Sequence, residues 1–365
     1  MIGWRFEEWT GQDGDNKSPF DRLFPVFQEL LLHASGDVAE TLSWLTELDK
    51  EYNITDDKYG IGDFIEDLIE QGFISGNDDM ENFRPTAKME QSFRKSALKE
   101  IFGSVQKAKK GDHNTKKQGK GDEFTDEIRP YNFGDSFDQI ALTESFKNAQ
   151  INHGLENFRL EQDDLAIRET FFQSQMSTVL MIDISHSMIL YGEDRITPAK
   201  QVALALSEYI MTRFPKDTLD ILVFGDEAWQ VSIRDLPYLQ VGPYHTNTVA
   251  GLELALELLR KRRNPNKQVF MITDGKPTCI KVGKQLYKNS FGLDQKIINR
   301  TLNLGAKFKK LGIPVTTFMI ARDPYLMRFV EAFTAANAGK AFYSSLDGLG
   351  DFIFKDYKSS RKSRK

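Results

Sequence analysis

From Ser177 onward the chain alternates short apolar runs with longer amphipathic ones, and this alternation leaves few folds open. Val179-Leu180-Met181-Ile182, Leu219-Asp220-Ile221-Leu222-Val223-Phe224, Val269-Phe270-Met271-Ile272 and Val315-Thr316-Thr317-Phe318-Met319-Ile320 read as strands, with Ala341-Phe342-Tyr343 as the last. Strands apolar at consecutive positions are those covered on both faces, as in parallel sheets. Between them, the stretches from about Ile196 to Phe214, Val249 to Leu259, Leu302 to Leu311 and Leu326 to Ala336 have helical spacing. Alternation at these lengths predicts an α/β fold: a doubly wound, mostly parallel sheet with helices on both faces.

Upstream, residues 18–105 read as mainly helical. Ser18-Pro19 forms an N-cap and first helical position before Phe20, Leu23, Phe24, Phe27, Leu30 and Leu31. Pro25 either kinks that helix or marks its true start. Val38, Leu42, Leu45 and Leu48 continue at helical spacing, as do Ile61, Phe64, Ile65, Leu68 and Ile69. Phe73-Ile74 and Phe83-Arg84 then bracket the polar turn Ser75-Gly76-Asn77-Asp78-Asp79, and a last helix runs from Ala87 to Val105. That order resembles a winged-helix arrangement. Residues 106–128 lose nearly all apolar side chains and mix Lys107, Lys109, Lys110, Lys116, Lys117 and Lys120 with glycines. Such a stretch cannot offset its ordering entropy by burial and reads as a solvated tether. The expected organisation is therefore a helical region (1–105), a basic flexible linker (106–128), a connecting segment (129–176), the α/β domain (177–347) and a basic C-terminal tail (348–365). In the connecting segment, Leu165 and Ile167 alternate with Asp164 and Arg168 like a strand.

Composition narrows the function classes. The 48 Lys+Arg against 53 Asp+Glu leave a formal net charge of −5, which argues against a globally basic nucleic-acid binder. A single cysteine, Cys279, excludes an intramolecular disulfide and a cysteine-rich zinc site. His33, His113, His153, His186 and His245 show no metal-ligand spacing. No apolar run approaches the roughly 20 residues of a membrane span, and the N-terminus lacks a signal-peptide layout. A cytoplasmic protein with no membrane contact is the expectation.

Open α/β sheets bind ligands at the carboxyl ends of their strands. Three polar clusters fall there: Asp183-Ile184-Ser185-His186-Ser187, Thr246-Asn247-Thr248 and Thr273-Asp274-Gly275. All offer hard oxygen donors and none offers sulfur, which suits Mg²⁺, Mn²⁺ or Ca²⁺. Asp183, Ser185 and Ser187 alternate and would share one side of an extended segment. Helix capping and turn formation account for any one of these residues. They do not account for the joint pattern.

The pattern resembles the von Willebrand factor A (VWA) domain over about residues 177–345. Its DxSxS motif is matched by Asp183, Ser185 and Ser187, with Met188 following; its threonine by Thr246; and its second aspartate by Asp274, in Ile272-Thr273-Asp274-Gly275. The resemblance implies a metal-ion-dependent adhesion site holding Mg²⁺ (or Mn²⁺). Ser185, Ser187 and Thr246 would contact the ion by their hydroxyls, and Asp183 and Asp274 would act mostly through bound water and hydrogen bonds. It also implies an open coordination position filled by an Asp or Glu of a protein partner. The wider layout, with Lys110-Gly111-Asp112-His113, Arg129-Pro130-Tyr131-Asn132-Phe133-Gly134-Asp135 and Asp164-Leu165-Ala166-Ile167-Arg168-Glu169-Thr170, resembles bacterial cytosolic VWA proteins that partner MoxR-type AAA+ ATPases and the magnesium-chelatase motor.

The expected role is thus a metal-dependent adaptor or co-chaperone working with an AAA+ ATPase in assembly or metal insertion, not an enzyme. An ATPase-independent scaffold is the first alternative, and a Mg²⁺-dependent hydrolase the second. His186 and His245 flank the site but lack a recognisable nucleophile and orienting group. Ser185 stands where phosphatases with a nucleophilic aspartate carry a second aspartate, which argues against that chemistry. Cys279 reads as an ordinary small residue.

Overall fold

The computed structural model describes residues 18–76, 83–102, 118–132, 135, 137–154, 158–171, 175–192, 194–274, 276–289, 292, 294–320 and 324–343. The expected basic tail (348–365) and the lysines from 107 to 117 lie outside them, as does most of the polar turn at 77–79. The described residues fall into two compact units: one from segments within 1–106 and 176–356, the other within 107–175.

The first unit begins with α1 (Pro19–His33), α2 (Val38–Tyr52) and α3 (Ile61–Glu70). The Ser18 hydroxyl accepts from the Asp21 amide at 3.1 Å, and Pro19 occupies the first turn. Pro25 therefore lies inside α1 and does not start it. Two short antiparallel strands, β1 (Ile74–Ser75) and β2 (Arg84–Pro85), precede α4 (Ala87–Phe102). Phe20, Phe24, Phe27, Phe64 and Phe73 interlock, with centroid separations of 4.4 Å for Phe24–Phe73 and 5.6 Å for Phe27–Phe64. These are the apolar stripes read from the sequence, turned onto one another.

In the second unit, β3 (Gln118–Pro130) pairs antiparallel with β4 (Ala166–Phe171), and α5 (Leu142–His153) lies between them in sequence. Part of the segment read as a tether is thus strand. Its partner lies some forty residues downstream, out of reach of a composition argument. Asp164, buried, ties this unit together by accepting from Asn152 at 2.7 Å and meeting His153 at 3.0 Å.

The first unit resumes with β5 (Met176–Asp183), α6 (Ile196–Arg213), β6 (Thr218–Phe224), β7 (Ala228–Val231), α7 (Thr248–Lys261), β8 (Asn266–Thr273), β9 (Cys279–Val282), β10 (Gln285–Lys288), α8 (Gln295–Lys310), β11 (Val315–Met319), α9 (Pro324–Asn337) and β12 (Lys340–Tyr343). The main sheet has the order β12-β11-β8-β5-β6-β7, parallel except for the edge strand β7. Residues alternate between its faces. Val179, Met181, Leu222, Phe224, Val269 and Met271 form one core with residues of α7, α8 and α9. Leu180, Ile182, Ile221, Val223, Phe270 and Ile272 point the other way and are equally buried. Helix α6 packs against β6, and its Ala199, Val202, Ala203 and Leu206 are buried too. The fold is the doubly wound α/β architecture expected.

Other elements also differ from expectation. Helix α8 starts at Gln295, not near Leu302, because the Asp294 carboxylate caps it, accepting from the Lys296 and Ile297 amides. Edge strand β7 and the hairpin β9–β10 add to the expected strands; the hairpin is closed by the two-residue loop Gly283-Lys284, in which Gly283 takes φ +62°. A first loop residue at positive φ suits glycine and matches the strand twist.

Candidate metal centre

The sheet order explains where the site forms. The chain leaves β5 toward β6 on one side, then crosses to β8 on the other, so the loops after β5 and β8 diverge and open a crevice at their carboxyl ends. Asp183 ends β5 and Asp274 follows β8. Beyond Asp183 the chain stops being extended: Ile184 still bonds to Phe224, and residues His186–Gly192 then coil into 3₁₀ turns. This curl, as expected of a loop beyond the strand, gathers the hydroxyls.

The five predicted residues form one connected cluster. The Thr246 hydroxyl donates to Ser185 Oγ at 3.0 Å, Ser185 Oγ lies 3.1 Å from Ser187 Oγ, and Ser187 Oγ donates to Asp274 Oδ1 at 2.7 Å. Asp183 sits beneath: its Oδ1 accepts from the Ser185 amide at 2.9 Å and its Oδ2 from the Thr273 hydroxyl at 2.6 Å. Asp183, Ser185, Thr246 and Asp274 are all buried. Burial, then the neighbouring Asp274 charge, pushes the Asp183 carboxyl above the ordinary carboxylate range. The two carboxylates thus face one another in a region shielded from water, where both cannot easily be charged without a compensating group.

Residues that the motif did not name hold this arrangement. Arg195 Nη1 donates to Asp274 Oδ2 at 2.6 Å in an ion pair that is nearly closed to solvent. Thr278 clasps Thr246 from the base of the β9–β10 hairpin. Its hydroxyl accepts from the Thr246 amide, and its own amide donates to the Thr246 carbonyl, both at 2.9 Å. Asn247 caps α7 by accepting from the Ala250 amide and also donates to the Asp226 carbonyl. Thr278 lies four residues after Asp274 in the same loop, a local signal; Arg195 lies 79 residues from Asp274 and gave none.

The flanking histidines do other work. The His186 amide donates to the Tyr244 carbonyl while its ring is exposed, and His245 faces Asp226, at 3.2 Å from Nδ1 to Oδ1. Lys288 takes the other Asp226 oxygen at 2.9 Å. Cys279 is buried and its thiol is pushed up to about 12, chiefly by desolvation, so it is no nucleophile at neutral pH.

Among the described residues, no three His, Cys, Asp or Glu side chains gather as a metal-holding group. The cluster is of a different kind: three hydroxyl oxygens in hydrogen-bond sequence with two buried carboxylates. Such neutral and anionic hard oxygens fit Mg²⁺ or Mn²⁺.

Comparison with known families decides membership. Residues 176–358, half of the chain, match the vWA domain of the Rv0959-like proteins, and residues 123–170 match the third domain of the same family. The chain belongs to the Rv0959-like family. The vWA match runs past the expected boundary at residue 347, and the third-domain match spans parts of both the expected linker and the connecting segment. Protein Rv0959 of Mycobacterium tuberculosis and Mb0984 of Mycobacterium bovis are each 29% identical over 304 residues, covering 81% of this chain and 44% of theirs. The chain thus spans under half the length of these relatives. Among solved structures, the PilB minor pilin of Streptococcus sanguinis overlaps 54% of this chain and 65% of its own, at 15% identity and a TM-score of 0.42. The vWF domain of the type V pili tip protein Mfa5 of Porphyromonas gingivalis overlaps 53% and 98%, at 12% identity and a TM-score of 0.42. No helix of the described residues is long and apolar enough to cross a membrane.

Proposed function

We propose that this Rv0959-like protein is a metal-dependent protein-binding module, and that its vWA domain takes Mg²⁺ or Mn²⁺ at Ser185, Ser187 and Thr246, with Asp183 and Asp274 behind them. The observation that carries this reading is the continuous hydroxyl chain from Thr246 through Ser185 and Ser187 to Asp274. When bound, the ion would supply an electrophilic position for a carboxylate of a partner. Mostly neutral hydroxyl donors leave such an ion eager for an anionic oxygen. The helical region ahead of the vWA domain favours an adaptor or co-chaperone for a MoxR-type AAA+ ATPase in assembly or metal insertion. A scaffold without an ATPase is the alternative.

The hydrolase alternative finds less support. The histidine nearest the cluster on the Thr246 side is engaged with Asp226, and neither His245 nor His186 has a hydrogen bond to Ser185, Ser187 or Thr246 in the described network.

The reading is tested by Mn²⁺ titration followed by electron paramagnetic resonance and by thermal unfolding. A ion bound only by the folded state should raise the midpoint by mass action. Asp183→Ala should abolish both responses with the fold intact by circular dichroism. A partner captured in Mg²⁺ should be lost in EDTA and by Thr246→Ala. Equal capture under all three conditions would move the recognition surface away from the ion.

A further inference from the structure

Arg195 is built into the cluster as firmly as the motif residues. Its backbone amide donates to the Met188 carbonyl at 3.0 Å, so the chain folds back on the loop that carries Ser185 and Ser187. The preceding residue, Asp194, accepts from the Thr197 amide in the first turn of α6 at 3.0 Å, and its other oxygen meets His33 Nδ1 of α1 at 2.7 Å. The guanidinium is 12% exposed and the Asp274 carboxylate 0%. Asp274 therefore divides its oxygens: Oδ1 serves the hydroxyl chain through Ser187, and Oδ2 serves Arg195. Among the described residues, the Arg195 guanidinium thus sets a fixed positive charge on one of the cluster's two carboxylates, inside a region where charges interact strongly.

We propose that Arg195 is a resident counter-cation of the site, which holds Asp274 in position for the hydroxyl chain and by its own charge weakens the affinity for a divalent ion. This rests on the metal reading above and adds a consequence to it. An ion bound against a resident guanidinium is held loosely until a partner carboxylate restores the missing negative charge, so ion and partner bind cooperatively. Without the guanidinium, the same motif residues would hold the ion more tightly and depend less on the partner carboxylate.

The test compares the full chain with Arg195→Gln and Arg195→Lys in Mn²⁺ titrations read by electron paramagnetic resonance, with thermal unfolding in EDTA and in Mn²⁺ alongside. Removing the charge should tighten Mn²⁺ binding by about tenfold or more, whereas Arg195→Lys, which keeps it, should stay within about threefold of wild type. Arg195→Gln should also lose stability in EDTA, since it strands a buried carboxylate, and regain more in Mn²⁺ than wild type does. If that variant does not fold in EDTA, it is purified in Mn²⁺ and the ion's release is followed on dilution; slower release than from wild type supports the proposal. Mn²⁺ binding by wild type with equal or weaker binding by Arg195→Gln overturns the counter-cation role and leaves the metal reading standing. Binding by Arg195→Gln but not by wild type overturns the metal reading for the natural chain and supports the counter-cation. Binding by neither overturns both.

Discussion

Lys200 offers a pH-dependent measure of how the helical region seats on the vWA domain. It lies on α6 with no exposure to solvent, and its ammonium donates to the Leu32 carbonyl at 3.1 Å, Ser35 Oγ at 3.0 Å and the Pro237 carbonyl at 3.3 Å. Burial pulls it from 10.5 down to about 8, although the Asp194 charge opposes the shift. His33, on the far side of Asp194, is another titratable group of this corner. A lysine depressed in the folded state means that the unfolded chain binds more protons between about pH 8 and 10.5, so stability rises with pH across that window. The gap between 10.5 and about 8, at about 1.4 kcal/mol per pH unit, amounts to about 3 kcal/mol. Tyr238 nearby is held up to about 12 by burial and by Glu90, and so titrates above the range. Urea unfolding of wild type and Lys200→Met at pH 7, 8, 9 and 9.5 isolates the effect. The stability of wild type relative to the variant should be level up to about pH 8 and climb by about 2 kcal/mol by pH 9.5. A flat difference over the whole range would refute the burial of Lys200 beneath the end of α1.

Other perturbations have equally definite outcomes. Gly339→Ala would drive a Cβ into the Val315 carbonyl where the chain enters β12, and should cost about 2 kcal/mol or more by thermal unfolding. Phe64→Ala removes a fully buried ring set against Phe20 and Phe27, and should cost about 3–5 kcal/mol in urea. Arg262→Ala strips the buried Asp220 carboxylate of its guanidinium, bonded at 2.8 Å through Nε, and should cost about 1–3 kcal/mol. Thr278→Val leaves the Thr246 amide without its hydroxyl acceptor, and should weaken Mn²⁺ binding severalfold although Thr278 is not among the proposed ligands.

Local signals carried much of this structure. The strands of the main sheet are legible because both of its faces are covered, which makes each strand apolar without interruption. Asp183, Ser185, Ser187 and Asp274 are legible because they lie at or just after the ends of strands β5 and β8, whereas Thr246, well beyond β7 and just ahead of α7, is legible only as part of the joint motif. The cap at Ser18 is of the same kind: hydroxyl and amide lie three residues apart. What the sequence could not reveal rests on contacts between distant segments. The strand β3 reads as a tether until β4 stands beside it. Nothing local marks Lys200 as buried; the carbonyls of Leu32 and Pro237 and the Ser35 hydroxyl supply the acceptors that let it be so. Arg195 belongs to no motif, yet the fold sets it on Asp274, because the turn after β5 and the loop after β8 meet at the same strand ends. Short-range chemistry named the candidate donors; the guanidinium on Asp274 was decided by the tertiary structure, since only folding brings it across 79 residues to that carboxylate.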